Sequence, residues 1–382
     1  MTRDFRAILF TTATLASAFP VSAAFAQSGT AANQIEDIIV TTQRREESLQ
    51  KVPVAVSAIT ADGLNARGLR DVEELSRAIP GLTIGQSSGA ITPFLRGVGN
   101  SVVTFGNESS TAVYVDGVYY SRLPPGFFAM SNIQRVEVLK GPQGTLFGRN
   151  ASGGVLQLVT KDPSHDTSVM GSASYGRFDL FEGNVYATMG ISDTIAADIS
   201  LSGRRQGKGY GRNLTTGHRA NYMDDFTART KWLFEASDAT RITLSGFYSY
   251  SKVSAQGSTF PGTQRTYLSN PRTVAQPTLD YYDANDDANA NFESNGFGAA
   301  LKLEQELSFA KFTSISAFTH IRFKGLSDSD YGPRNDQIVS YGGPQRQLTQ
   351  EFQLASLTGG ALQWVAGLFY YNTKTKIGRA HV

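Results

Sequence analysis

What most constrains this chain is a run of long segments, from about residue 168 onward, in which apolar side chains alternate with polar or small ones. In "DTIAADISLSGR", Ile195, Ala197, Ile199 and Leu201 fall on one face, and Ala196, Asp198, Ser200 and Ser202 on the other. In "RITLSGFYSYSK", Ile242, Leu244, Gly246, Tyr248 and Tyr250 oppose Thr243, Ser245, Phe247 and Ser249. In "ALQWVAGLFYYNTK", Leu362, Trp364, Ala366, Leu368 and Tyr370 share a face. A period of two belongs to a β-strand, whose successive side chains point to opposite sides. Strands are expected over 168–177, 181–190, 193–204, 225–236, 239–251, 293–306, 309–324, 346–356 and 361–373. Strands of a soluble sandwich usually have about five or six residues. These run to about 10 to 14, near the span of a tilted membrane strand. Gly190–Ser192 and Glu235–Asp238 are short connections, whereas 205–224 and 252–292 are long. Short turns at one end and long loops at the other are the asymmetry of an outer-membrane barrel.

The N-terminus agrees with that location. In "MTRDFRAILFTTATLASAFPVSAAFAQ", Arg3 and Arg6 precede an apolar run, and Ala24-Phe25-Ala26 is a small-x-small cleavage signal. Residues 1–26 are therefore expected to be a secretory signal peptide. A membrane anchor fits less well, because the run is short and interrupted by Pro20. The chain holds 23 Phe and 16 Tyr, many of them within the alternating segments. Export, aromatics and dyad strands together point to the outer membrane of a Gram-negative bacterium. A secreted β-rich enzyme or adhesin is the alternative. A formal net charge of +2 gives no electrostatic case for nucleic acid. The absence of cysteine excludes a disulfide-stapled fold and a thiolate zinc site.

Residues 38–161 read differently, as one mixed α/β unit. Ile38, Ile39, Val40 and Thr41 form a short β-prone patch. Such a patch can add a strand to a partner's sheet, or it can be an ordinary edge strand. In "GLRDVEELSRAIPG", Leu69, Val72, Leu75 and Ala78 repeat at helical spacing, and Pro80-Gly81 ends the helix. "TAVYVDGVYYSR" alternates around a turn at Asp116-Gly117. "SNIQRVEVLKGP" is a strand stopped at Gly141-Pro142.

The glycine-rich stretch "RVEVLKGPQGTLFGRNASGGVLQLVTK" raises the question of a phosphate cradle. It lacks the Lys-[Ser/Thr] ending of a phosphate loop and the dinucleotide fingerprint. The structural reading is preferred. Gly141-Pro142 turns the strand, and Gly144, Gly148, Gly153 and Gly154 allow close backbone approach. No group of residues argues for catalysis, so no enzyme activity, cofactor or metal is expected. His165, His218, His320 and His381 are scattered without zinc-ligand spacing, and nothing marks a nucleophile elbow. Acidic residues in 280–294 and 327–336 do not match a calcium loop and read as solvated outer loops.

These segments, in this order, resemble the TonB-dependent outer-membrane receptor family. "DIIVTTQRREESLQKVPVAVSAIT" looks like its TonB box and plug start. "FLRGVG", "VYVDGVY" and "RVEVLKGPQGTLFGRNASGGVLQLVTK" look like its plug motifs, and "WVAGLFYYN" like its barrel. The resemblance implies a mixed α/β plug inside an antiparallel transmembrane β-barrel. The implied domains are a signal peptide (1–26), a flexible N-terminal segment with the TonB box (27–50), a plug (51–165) and a partial barrel (166–382). It implies import of a scarce nutrient, driven through TonB and its inner-membrane energising complex. The family's usual ligand is an iron–siderophore, with vitamin B12, haem and glycans as other classes. A passive porin or a secreted adhesin would be the competing functions.

By position, the box is Asp37, Ile38, Ile39, Val40, Thr41 and Thr42. The ligand is expected where the plug apex meets the outer loops, at Arg96, Asn100, Phe105 and Asn107, with Tyr119, Tyr120 and Arg122 as second candidates. Arginine suits an anionic ligand and aromatic rings a planar one. Arg135, Glu137, Lys140 and Arg149 are candidates for ion pairs between plug and wall. The barrel is expected to be incomplete: about nine strands stand against about 22 in this class of transporter. The end, "NTKTKIGRAHV", does not finish on an aromatic strand. A truncated product is therefore expected.

Overall fold

A computed structural model describes residues 38–45, 47–87, 90–100, 107–123, 127, 132–254, 282–328, 338–357 and 362–376. The expected signal peptide, Asp37, Phe105, most of 327–336 and the larger part of 252–292 lie outside the described residues.

The first strand, β1 (Ile39–Val40), pairs antiparallel with β2 (Glu47–Ser48). Strand β3 (Val56–Thr60) runs into helix α1 (Ala61–Ala66). The Thr60 hydroxyl caps that helix by accepting from the Gly63 N–H. The helix expected across Leu69–Ala78 is not continuous. Gly68 takes φ 64°, and only a 3₁₀ turn forms at Glu73–Arg77. Leu69, Val72, Leu75 and Ile79 still reach the core. The apolar spacing selected the buried face, although the backbone there forms only a short 3₁₀ turn.

The hairpin β4 (Leu82–Ser87) and β5 (Ala90–Leu95) follows. Strands β6 (Thr111–Val115) and β7 (Val118–Tyr120) turn at Asp116 and Gly117, whose φ values of 49° and 84° suit a type I′ turn. Strand β8 (Ile133–Lys140), helix α2 (Gly144–Phe147) and strand β9 (Gly154–Thr160) complete the unit. Its five-stranded sheet has the order β3-β8-β9-β6-β7, with β6 and β9 parallel. Fully buried Leu75, Ile133, Val136, Val138, Leu156 and Leu158 form its centre. Each such side chain contributes about 1.5–3 kcal/mol of hydrophobic burial.

The glycine-rich stretch has a structural role, though not at every glycine. Gly154 takes φ 141°, and a Cβ there would run into the Leu139 carbonyl oxygen. Gly153 is confined by Thr111 and Val98. Gly144 needs neither: nothing lies near its missing Cβ, and it opens α2 in an ordinary conformation. The expected close approach at Gly144 is thus corrected.

The remaining strands build one antiparallel wall: β10 (Ser168–Gly176), β11 (Leu180–Ser192), β12 (Ile195–Gln206), β15 (Met223–Ser237), β16 (Thr240–Ser254), β17 (Asn291–Glu306), β18 (Ala310–Asp328), β19 (Ile338–Ser356) and β20 (Val365–Thr375). A small hairpin, β13 (Gly211–Arg212) and β14 (Arg219–Ala220), decorates the long connection after β12. All nine expected strands are present. The eighth starts earlier than expected, at Ile338. "YGGP" at 341–344 reads as a turn, yet the ladder continues through it, with Pro344 opposite Arg322. Among the described residues the wall is an open sheet, with β10 and β20 at its two edges.

The wall is inside out relative to a soluble sandwich. Ile199, Leu201, Trp232, Leu244, Phe297 and Leu348 are exposed on its outer face. Asp198, Thr227, Lys231, Thr319, Gln347 and Glu351 are buried on the other. An apolar exterior and polar interior are what a bilayer-facing barrel requires. The plug sits against the polar side. Wall residues Ile315 and Ala317 join its hydrophobic cluster, and a Cβ on Gly117 would lie 2.9 Å from Ile315 Cδ1.

Candidate functional site

The N-terminal segment is held by a buried polar knot. Glu137, near the middle of β8, is fully buried. The Thr41 backbone N–H donates to both of its carboxylate oxygens at 3.0 Å, and the Thr41 hydroxyl lies 3.1 Å from Oε1. Arg135 Nε donates to Oε1 at 2.7 Å, and the Gln157 amide donates to the Thr41 hydroxyl. A buried carboxylate needs such donors, because leaving it unpaired costs several kcal/mol. Val40 is likewise sealed from solvent.

Three residues after Thr41, the chain reverses at Arg44, with φ 61°. The Arg44 side chain enters a cage. Its guanidinium lies 4.3 Å from the Phe147 ring centre and 4.8 Å from that of Tyr114. Its Nε donates to the Leu146 carbonyl at 3.3 Å. Its terminal nitrogen pairs with Glu351 of β19 at 3.1 Å, both side chains being under a tenth exposed. Burial pushes the Tyr114 hydroxyl up to about 12, although Arg44 opposes the shift. The segment is thereby tied to the plug through Glu137 and to the wall through Glu351.

Other plug–wall ties use the same chemistry. Lys231 of β15 lies 3.4 Å from Asp116 and 3.3 Å from Asp162. Asp116 also accepts from the Thr160 N–H and hydroxyl, each at 2.8 Å. Burial pushes the Asp116 carboxyl up, but Lys231 and the Thr160 N–H more than offset it and hold it below the usual range. At another point of the contact, Arg204 of β12 bridges Asp71 at 3.3 Å and Asp225 at 2.8 Å. Nearby, burial, with the Asp71 charge adding, pushes the Glu73 carboxyl up to about 7. Between plug and wall lies a cavity of about 710 Å³. Thr41 and Arg44 line it from the N-terminal segment, Asp116 and Gln157 from the plug, and Lys231 and Lys302 from the wall.

The expected ion pairs are redistributed. Arg135 and Glu137 pair with each other inside the plug rather than with the wall. Arg149 pairs with Glu108 of the plug at 3.2 Å and reaches the wall by stacking over the Tyr371 ring at 4.6 Å. Lys140 forms no ion pair among the described residues; its backbone N–H donates to the Ala55 carbonyl. Gly141 and Pro142 do end β8, with Gly141 at φ 100°. Gly148 takes φ 70° just after α2.

The expected ligand-facing residues divide into two groups. Arg96 is exposed on a turn at φ 51°. The Asn100 amide donates to the Asn107 side chain at 2.7 Å, joining two more of the set. Tyr119, Tyr120 and Arg122 are corrected to the interior, at 3%, 8% and 7% exposure. Tyr119 donates to Glu108 and packs edge-on against Tyr371. Tyr120 packs with Phe127 and Phe247, and Arg122 stacks 4.0 Å over Phe323. They join plug to wall, since an alternating strand next to a second sheet buries both of its faces. In the acidic segment, Asp283 accepts from the Arg212 N–H. Among the described residues, no three acidic or histidine side chains converge as a metal site.

Sequence reasoning missed Arg44, Glu351, Asp116 and Lys231. The charged run "QRREE" beside the β-prone patch is the only local signal at Arg44, and its partner Glu351 lies some 300 positions away.

Residues 48–155 match the TonB-dependent receptor plug domain. The pesticin receptor of Yersinia pestis is 35% identical over 144 residues, covering 37% of this chain and 21% of that protein. The vitamin B12 transporter of Vibrio cholerae is 27% identical over 181 residues, covering 46% and 28%. Among solved structures, the ferric yersiniabactin uptake receptor from Yersinia pestis superposes with a TM-score of 0.69 at 21% identity. That match covers 85% of this chain and 49% of the receptor, so the chain spans about half the length of the solved fold.

Proposed function

Because this chain carries a TonB-dependent receptor plug packed against part of an outer-membrane barrel wall, we propose that it serves TonB-dependent import of a scarce nutrient. The observation that supports the coupling is the anchored N-terminal segment. Ile39 and Val40 already form a strand, and Thr41 and Arg44 tie it to Glu137 and Glu351. An extended segment held by a few polar contacts can exchange its internal partner for an edge strand of another protein.

In this reading, Asp37 to Thr42 is the TonB box. Ligand binding at the outer surface, through Arg96, Asn100 and Asn107, shifts the plug against the wall. The Arg44–Glu351 pair opens, the β1–β2 pairing is lost, and the freed segment pairs with TonB. Each step is coupled through differential contacts in two states of the plug. Pulling on the segment then widens the plug–wall cavity into a path. The Arg44–Glu351 and Lys231–Asp116 pairs are the contacts that must part as it opens.

The ligand class we favour is an iron–siderophore complex. The yersiniabactin receptor's likeness in fold supports it, while the vitamin B12 transporter's likeness in sequence marks the competing class. The test is uptake of radiolabelled ferric siderophores, and of labelled vitamin B12, by receptor-deficient cells expressing the gene that encodes this chain, with and without TonB. TonB-dependent uptake of a ferric siderophore is the expected result. Uptake indifferent to TonB points to a passive pore. Uptake of the vitamin alone overturns the ligand class and keeps the transport reading.

A further inference from the structure

The inner face of the wall carries one row of charged side chains that the plug completes. Glu182 of β11, Arg204 of β12 and Asp225 of β15 stand opposite one another in register. The row lies beside the long connection 207–222, at the end of the wall that faces the outside. The plug lays residues 70–77 against it. Arg70 pairs with Glu182 at 3.0 Å, and Asp71 with Arg204 at 3.3 Å. Arg204 also holds Asp225 at 2.8 Å.

The cations do not balance the carboxylates. Among the described residues, Asp71, Glu73, Glu74, Glu182 and Asp225 share the guanidiniums of Arg70, Arg77 and Arg204. The side chains of Arg70 and Arg77 are more than two-thirds exposed, so water screens them. Arg204 is sheltered, at 19% exposure, and is already committed to Asp71 and Asp225. Glu73 is met by a neutral donor, the Gln86 amide of β4, at 3.1 Å. Carboxylates crowded around too few cations retain a proton, because each further ionisation meets the charge of the others. Burial first, and then the Asp71 charge, push the Glu73 carboxyl up to about 7 against the pull of Arg204. Burial raises the Asp71 carboxyl as well.

This segment also anchors the plug. Val72 and Leu75, interleaved with the carboxylates, are buried in the plug core. Glu74 accepts from the Arg70 N–H at 2.8 Å, and Asp71 accepts from the Glu74 N–H at 3.2 Å. Residues 70–74 are thus one tied turn, and a charge appearing on Glu73 strains the turn as a unit.

We propose that the cluster of Asp71, Glu73, Arg204 and Asp225 is a proton-operated latch between the plug and the outer end of the wall. With Glu73 protonated, Arg204 joins Asp71 to Asp225 and the segment stays docked. With Glu73 ionised, the excess negative charge lifts residues 70–77 off the wall. A carboxyl held above its ordinary value favours docking fully below about 4.5 and loses that contribution as pH rises through about 7. The latch therefore closes as the outside medium turns mildly acidic and loosens as it turns alkaline.

The test uses the protein purified from outer membranes in mild detergent. It needs neither nutrient nor TonB, so its outcome is separate from that of the transport reading. Val72→Cys supplies a single thiol at a position 3% exposed. Its reaction rate with a neutral maleimide is read at pH 6 and pH 8, with Glu73 and with Glu73→Gln. The ratio of the two rates cancels the thiol's own pH dependence. For a carboxyl at about 7 against an ordinary 4.5, that ratio should rise about tenfold between pH 6 and pH 8. Leu156→Cys, in the fully buried centre of the sheet, should label far more slowly than Val72→Cys at both pH values. A ratio that stays flat overturns the proposal. Equal labelling of the two thiols overturns it too, because the plug then opens as a whole rather than at the latch.

Discussion

Removing the Glu137 carboxylate should release the N-terminal segment without unfolding the plug. The chain contains no cysteine, so a single Val40→Cys substitution gives one thiol, at a position with 0% exposure. The thiol reacts with a maleimide only when the segment lifts. Thr41 contributes a backbone N–H and a hydroxyl to Glu137. Hydrogen bonds to charged groups contribute about 1.5–3 kcal/mol each. Glu137→Gln keeps an acceptor for Thr41 but loses the charge, so about 1.4 kcal/mol, or tenfold faster labelling, is expected. Glu137→Ala loses both contacts, so about 3 kcal/mol, or about a hundredfold, is expected. The control is Leu156→Cys, in the fully buried centre of the sheet. Its labelling should not change. If Val40→Cys labels at the same rate with and without the carboxylate, the knot does not hold the segment. If Leu156→Cys accelerates in parallel, the plug is unfolding and local release is refuted.

Arg44→Ala breaks a pair buried on both sides and strips two ring faces of their cation, at a cost of about 3–5 kcal/mol. The same Val40→Cys assay should show this, and Arg44→Lys should rescue it poorly, because an ammonium cannot reproduce the planar stack. Gly154→Ala should destabilise the plug by about 1–3 kcal/mol in denaturant titrations, because its Cβ meets the Leu139 carbonyl in a left-handed conformation. Gly144→Ala, with open space around it, should leave the midpoint unchanged. Glu73, whose carboxyl burial raises to about 7 from the ordinary 4.5, favours the fold at acid pH and loses that contribution as pH rises from about 4.5 through 7. Glu73→Gln should therefore stabilise the plug at pH 8 and change little at pH 4. Asp116 has the opposite sign, its contribution being present at neutral pH and lost as pH falls below the ordinary carboxylate value of 3.8. Asp116→Asn should flatten the acid limb of stability against pH.

How much was legible follows from which interactions are local. Period-two alternation registers directly in sequence, so all nine wall strands were found. The misplaced start of β19 arose because "YGGP" carries turn chemistry that the neighbouring ladder overrides. Helical spacing in 69–79 marked the residues that face the core, yet the backbone there forms only a 3₁₀ turn at Glu73–Arg77. Asp116-Gly117 was readable as a turn, because two positive φ values demand such residues.

The sequence by itself determined the alternation, the turn positions and the plug's identity, because these depend on residues within a few positions of one another. Only the tertiary structure decided which polar groups meet. Arg44 finds Glu351, and Lys231 finds Asp116, because the wall curves around the plug and brings distant positions to about 3 Å. The same closure put Tyr119, Tyr120 and Arg122 inside, where the sequence suggested a ligand surface. Alternation separates two faces of a strand, but it does not say what covers each. That is settled by lipid on one side and by the plug on the other.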